Sequence, residues 1–505
     1  MEVQQVSIIV ENGLKLITIV TYRRNHKNMN ANNSTHSKNK KRKILVIGGV
    51  AAGTSAASKA KRIDPNADIK IIQEEPLVSY GSCGIPYVIE GLINDFDKLI
   101  ARSVEEFKNK YHIDIMINTR ATRIDHLEKK VYAKDLQNKK EVVFDYDSLV
   151  IATGARAVIP KIKELYYDKG NSMKGGLFLL RNFEDGIYIR DYIKNAKSVI
   201  IVGAGLIGIE MAESFKQRGM SVILIEIADH VLANILDKDM AEIIEEELKN
   251  NGVNVRLKEK VEQILLESDR FGDGNYSPKI KGVRTTKEEI LADCVLFGVG
   301  VRPNSEIAKD AGIELGVNNA IKVDDYMRTN IVDIYAAGDC ATARNYITNK
   351  DDYLPLGTTA NKQGKIAGEN AAGGNVKFEG IAASAITKIF GLFVGKTGLS
   401  KEEALENGFE PIESKIEDIT RAGYYPDNKK IWIKLVADKK NKRILGAQIV
   451  GGEAVKGRID LISFALLKQS TVEDLANYDA CYVPPASPVW EPINIAAIQM
   501  SKLLT

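Results

Sequence analysis

The pattern that most constrains this chain is a strand, a glycine turn and a helix start, written twice. KILVIGGVAAG at Lys43–Gly53 and SVIIVGAGLIGIE at Ser198–Glu210 share that syntax about 155 residues apart. An aliphatic run followed by glycines opens a βαβ unit, in which the backbone approaches a pyrophosphate closely and the helix N-terminus faces its charge. A single nucleotide-binding domain carries one such start. Two starts predict two domains.

The second start is the more regular. Gly203, Gly205 and Gly208 complete GxGxxG, and Ala204, Leu206 and Ile207 fill the turn between them. SVILIE follows as a second strand and ends on Glu226, 18 residues after Gly208, where a carboxylate accepts from adenosine ribose hydroxyls. An acid there repels a 2′-phosphate, and IADHV beyond it offers no arginine. The reading is therefore NADH, with NADPH as the alternative.

At the first start Gly48 and Gly53 hold the outer positions, while Val50 stands where the middle glycine is usual and Gly49, Ala51 and Ala52 complete the turn. The following strand ends at Gln73 with Glu74 next, so the ribose acceptor is either an amide or an acid displaced by one residue. Far downstream, Gly338 and Asp339 form a strand-to-helix turn whose carboxylate suits a flavin's ribityl hydroxyls, the bland alternative being a helix N-cap. ATGA, with Ala152, Thr153 and Gly154, closes a short buried strand between the two starts, and Gly300 lies in a similar closing turn, GVGVRPN.

Cys83 sits in SYGSCGIPY, between glycines 81 and 84 and just before a helix start. A lone cysteine is by default a small buried hydrophobe. Close-approach glycines, small polar neighbours and a helix N-terminus, which lowers a thiol pKa, favour a redox thiol instead. Cys294, Cys340 and Cys481 take the bland reading. Four cysteines in 505 residues make neither a disulfide framework nor a zinc site, and the histidines show no ligand spacing, so no metal is assigned.

Hydrophobic residues at 44% and charged residues at 27% are those of an ordinary globular chain. The net charge of +3 gathers in Lys38–Lys43, a solvated run without the stacking aromatics that nucleic-acid binding needs. No apolar stretch reaches the roughly 18 residues of a membrane span, and the N-terminus lacks a secretory start, so a reducing, cytoplasmic setting is expected. Five segments follow. Residues 1–42 are read as a disordered extension, 43–160 as the first part of an FAD domain, and 161–297 as an NAD(P)H domain. Residues 298–375 return to the FAD domain. Residues 376–505 change to an α+β pattern, in which Lys430–Val436 alternates like a half-exposed strand.

Taken together, GGVAAG, SYGSCGIPY, ATGA, GAGLIGIE, GVGVRPN, AAGDCA, LGTTANKQG, YYP and YVPPASPVWEP resemble the single-cysteine branch of the FAD-dependent pyridine nucleotide-disulfide oxidoreductases. That branch includes coenzyme A disulfide reductases, archaeal NAD(P)H sulfur reductases and NADH oxidases. The resemblance spans about residues 43 to 505. It implies an α/β fold with two Rossmann-like domains, for FAD and NAD, and a C-terminal α+β dimerisation domain. It also implies a homodimer whose active sites are shared across the interface.

Residue by residue, the resemblance puts the nucleophile on Cys83, one partner-reaching tyrosine on Tyr482 and another on Tyr425 or Tyr424. The coenzyme A contacts it implies are Arg62 and Ser79, with Ser55, Lys59, Ser82 and Asn361 in equivalent places but with changed side chains. Trp490 stands where bacterial members carry a lysine. The expected chemistry is reduction of coenzyme A disulfide, or of its persulfide or polysulfide counterparts, through a mixed disulfide of Cys83 with coenzyme A. The alternatives are an NADH oxidase working through a Cys83 sulfenic acid and an NADH-binding redox sensor with little turnover.

Overall fold

The computed structural model describes residues 41–165, 175–267 and 279–504. The chain divides into two bodies, Met1–Lys41 and Arg42–Thr505, and the latter is built as three units, first to third, each centred on a five-stranded sheet. The expected extension lies, up to residue 40, outside the described residues. Arg42 is already part of the fold, its guanidinium donating to the Ala371 carbonyl at 3.1 Å.

Two five-stranded parallel sheets form the larger part. In the first, Lys43–Ile47 (β1) lies between Asp68–Ile72 (β2) and Ser148–Ile151, with Asp114–Met116 and Ile334–Ala336 at the edges. In the second, Ser198–Val202 lies between Ser221–Ile225 and Cys294–Phe297, with Val253–Arg256 and Leu177–Leu179 outermost. Parallel strands covered on both faces need near-continuous aliphatic runs, which KILVI and SVIIV supply. Ile44 and Val46 point to the helices Ala51–Ile63 (α1) and Gly357–Ala371, while Leu45 and Ile47 point to the opposite face, against Ile124 and Val131 of an antiparallel meander.

The strand Ile334–Ala336 pairs with Ser148–Ile151, so the chain re-enters its first sheet after building the second. α1 begins at Ala51, directly on the glycine turn.

The third sheet is antiparallel, in the order Ala385–Ile389, Leu392–Gly398, Ile444–Gly451, Lys430–Asp438, Pro411–Ile419. Helices Val455–Leu467 and Pro492–Leu503 cover one face through Ile459, Ile462, Ile493 and Met500. Lys430–Asp438 is almost wholly buried, unlike the half-exposed strand its alternation predicts. The face assigned to solvent docks on the second unit. There Lys434 meets Asp237 at 3.0 Å and Asp239 at 2.5 Å, with Glu413 of its own sheet at 3.8 Å.

Candidate active site

The two glycine loops are built alike. Gly48 and Gly203 have φ of 107° and 103°, conformations that favour glycine. A Cβ on Gly48 would stand 2.0 Å from the Ala152 carbonyl oxygen, on Gly53 1.8 Å from that of Gly48, and on Gly208 1.9 Å from that of Gly203. Each loop is closed by the residue that ends the next strand. Gln73 Oε1 accepts from Gly49 N at 2.7 Å, and Glu226 Oε2 accepts from Ala204 N at 2.6 Å. Gln73 therefore occupies in the first loop the place of Glu226 in the second. Glu74 lies outside, paired with Arg120 at 2.6 Å.

These cradles fit two nucleotides. Around Gly205 and Gly300 a Cβ would meet nothing within 4 Å, which leaves open space against the backbone where Leu206 and Ile207 begin the helix Leu206–Gln217. Glu226 Oε1 also accepts from Ala228 N at 2.9 Å, which fixes the carboxylate while leaving lone pairs for ribose hydroxyls. On the other side Gly338 presses on Ala52, and Thr153 Oγ1 donates to the Asn304 carbonyl at 2.6 Å beside Gly154. The groups expected for a flavin thus come together around α1. Asp339 is not free there: Arg181 holds it at 2.7 Å, and Tyr353 donates to its carbonyl at 2.9 Å.

Cys83 lies in a 3-10 turn, Ser82–Gly84, that feeds the short helix Ile85–Glu90 (α2). Leu99 closes on Gly84, where a Cβ would be 2.3 Å from its side chain. Ser79 takes φ 51°, uncommon for a residue with a side chain, while its N–H donates to the Gly49 carbonyl at 2.9 Å and ties this loop to the first glycine turn. Cys83 and Cys481 are exposed residues, whereas Cys294 and Cys340 are buried. Burial raises the pKa of both buried thiols.

The helix start was expected to lower the Cys83 pKa. The structure raises it: crowding by protein atoms acts first and the Glu210 carboxylate second, with Asp339 adding to them against the opposing Ser82 hydroxyl and Arg181. The start of a six-residue helix does not offset burial and the two carboxylates together.

Glu210, Arg181 and Thr387 were not among the predicted residues. Arg181 lies in a segment without a motif. Glu210 was in view as the acid ending GAGLIGIE, but nothing in the sequence tells that its helix lies on α2, where Ser214 Oγ donates to the Pro86 carbonyl at 3.0 Å.

The tyrosines gather in the third unit. Tyr424 and Tyr482 join hydroxyls at 3.1 Å, while Tyr425 lies beside Arg421. Tyr424 is 77% exposed and Tyr482 44%. Among the described residues no hydrogen bond or ion pair joins them to Cys83 of the same chain. Of the predicted coenzyme A contacts, Ser55, Lys59, Arg62 and Asn361 lie on one seam, where Ser55 Oγ donates to Asn361 Oδ1 at 2.7 Å, Lys59 pairs with Glu369 at 2.9 Å and Arg62 is exposed, while Ser79 and Ser82 lie in the Cys83 loop. No group of described residues could hold a metal ion, and no described helix is long and apolar enough to cross a membrane.

Comparison with known proteins agrees with this layout. Residues 42–364 match the family described as pyridine nucleotide-disulphide oxidoreductase, and residues 384–492 match its dimerisation domain. An NADH oxidase of Methanocaldococcus jannaschii is 39% identical over 92% of this chain and 99% of its own length. The NAD(P)H coenzyme A polysulfide/persulfide reductase of Pyrococcus horikoshii is 37% identical over 91% of this chain and 98% of its own. Among solved structures, an NAD-dependent persulfide reductase from A. fulgidus aligns with a TM-score of 0.85 at 37% identity, over 91% of this chain and 83% of that one. With both glycine loops, the returning first sheet and the third unit in place, this chain belongs to the pyridine nucleotide-disulphide oxidoreductase family.

Proposed function

We propose that this flavin-dependent NAD(P)H oxidoreductase reduces coenzyme A disulfide, or the corresponding persulfide or polysulfide, through a mixed disulfide on Cys83. The observation that carries this reading is the single exposed cysteine beside the first glycine loop, flanked by Ser82 and acted on by the Arg181–Asp339 pair. FAD would be held by Gly48–Gly53, Gln73, Ala152–Gly154 and Asp339; when bound, it relays two electrons between nicotinamide and sulfur. NADH would lie on Gly203–Gly208 with its ribose on Glu226 and Gly300 beneath it, and the anchored carboxylate favours it over NADPH.

In each cycle two electrons from NADH break the S–S bond of the mixed disulfide: Cys83 leaves as a thiolate and coenzyme A as the thiol that carries the proton. The thiolate then attacks the next disulfide: one S–S bond forms to Cys83, the substrate S–S bond breaks, and the departing sulfur takes a proton. Tyr482 of the partner subunit is the donor in this reading, with Tyr424 or Tyr425 beside it. The substrate thiol thus does the work of a second enzyme cysteine. Soluble substrates, a homodimer and a reducing, cytoplasmic setting follow from the same reading. So do the segment boundaries near residues 160, 297 and 375.

The test is anaerobic NADH consumption with coenzyme A disulfide, with polysulfide and without acceptor, set against oxygen uptake in air, for wild type and Cys83→Ser. Loss of disulfide reduction in Cys83→Ser is expected. Unchanged turnover in that variant overturns the mechanism. The relatives named NADH oxidase keep a second reading open, and fast oxygen uptake that stops in Cys83→Ser would favour it. Transfer from NADH without turnover on any acceptor would instead mark a redox sensor.

A further inference from the structure

The seam between α1 and the helix Gly357–Ala371 is held unusually tight. A Cβ on Gly364 would lie 2.3 Å from the Ala52 carbonyl oxygen, and one on Gly368 2.0 Å from that of Ala56, so the helices run side by side in the same direction. At 1.5 Å per residue, the outward stripe from the start of α1 to Arg62 is about 16 Å long. It opens at the Ser79 loop that carries Cys83 and is lined by Ser55, Lys59 and Arg62 on one helix and Asn361, Lys365 and Glu369 on the other.

Its charges are not equivalent. Lys59 is taken up across the seam by Glu369 at 2.9 Å. Arg62 and Lys365 are exposed, and among the described residues they form no ion pair. Lys365 lies one helical turn from Asn361 and one from Glu369, so it faces the same stripe.

We propose that Glu369 sets the charge selectivity of this seam: by occupying Lys59 it leaves Arg62 and Lys365 to meet the phosphates of the substrate's tail. The inference rests on the reading that coenzyme A is the substrate thiol. With Lys59 held by Glu369, one cation of the stripe is withheld from the phosphates and a carboxylate stands near them, so Glu369 weakens the hold on a phosphorylated tail and leaves a neutral one unaffected. Glu369 acts through Lys59 and is a positioning residue.

The experiment is equilibrium binding of coenzyme A and of pantetheine, which has the same thiol arm without phosphates, to the flavin-loaded full chain. Glu369→Gln is expected to tighten coenzyme A about two- to fivefold, the range a partly exposed charge contributes, and to leave pantetheine unchanged. Arg62→Gln and Lys365→Gln should loosen coenzyme A by a similar factor, Glu369→Asp should behave as wild type, and high salt should close the gaps. An unmoved coenzyme A affinity in both Glu369→Gln and Arg62→Gln overturns the proposal. So does an equal change for pantetheine, which would mean a packing role. Failure of either thiol to bind wild type overturns it as well, and disulfide reduction that still depends on Cys83 would then show that the reading of the nucleophile stands.

Discussion

Thr387 Oγ1 donates to Glu210 Oε1 across 2.7 Å, tying the first strand of the third unit to the helix whose charge acts on Cys83. Burial raises the Glu210 pKa most, Glu213 adds to it, and the Thr387 bond opposes both. Lys388 is drawn off to Glu213 at 2.7 Å, and Tyr87 and Glu90 on α2 face the same cluster. A negative Glu210 disfavours a Cys83 thiolate. Glu210→Gln should therefore move the thiol pKa down. The pH dependence of iodoacetamide alkylation measures this: below the wild-type midpoint the variant should react faster.

Glycine loops leave little room for substitution. Gly53→Ala or Gly208→Ala would drive a methyl into a carbonyl oxygen at 1.8 or 1.9 Å, so the strand-to-helix turn must open. The cost of such overpacking is about 1–3 kcal/mol or more. Thermal unfolding should show a lower Tm for both, with flavin lost on gel filtration from Gly53→Ala and NADH affinity lost in Gly208→Ala.

Arg458 and Glu491 form a buried pair, 7% and 11% exposed at the side chain, and Ser487 adds a bond to Glu491 Oε2 at 2.8 Å. The pair pins the segment that follows Tyr482. Arg458→Met leaves the carboxylate buried without its cation and should cost about 3–5 kcal/mol in denaturant unfolding. Pairing it with Glu491→Leu should recover most of that loss.

The Tyr482 phenol is held above its ordinary pKa, first by its hydrogen bond with Tyr424. It therefore stays protonated throughout the neutral range, as the proposed donor role requires. Tyr482→Phe should lower kcat for coenzyme A disulfide by about 100-fold at neutral pH while leaving flavin content and NADH affinity unchanged. Stopped-flow kinetics would separate the two halves of the cycle.

Much of the layout was legible in the sequence because close backbone approach admits little but glycine. Gly48, Gly53, Gly203 and Gly208 announce themselves for that reason. The choice between Gln73 and Glu74 was not legible, since only the strand's register decides which side chain turns back to the loop. Nor was the choice between the adjacent Tyr424 and Tyr425, of which Tyr424 takes Tyr482. Arg181 and Asp339 are 158 residues apart and meet only by tertiary folding. Lys434 was misread as solvent-facing because alternation gives a strand two faces without saying what lies against each.

The return of Ile334–Ala336 to the first sheet has a consequence for how the chain is made. All strands of the second sheet lie between residues 177 and 297, so that sheet has its full set once this stretch has left the ribosome. The first sheet must wait, with the edge of Ser148–Ile151 unpaired, until residues 334–336 and the helix Gly357–Ala371 arrive to cover it. The unit begun first is completed second, and a chain stalled before residue 334 would present an open apolar edge.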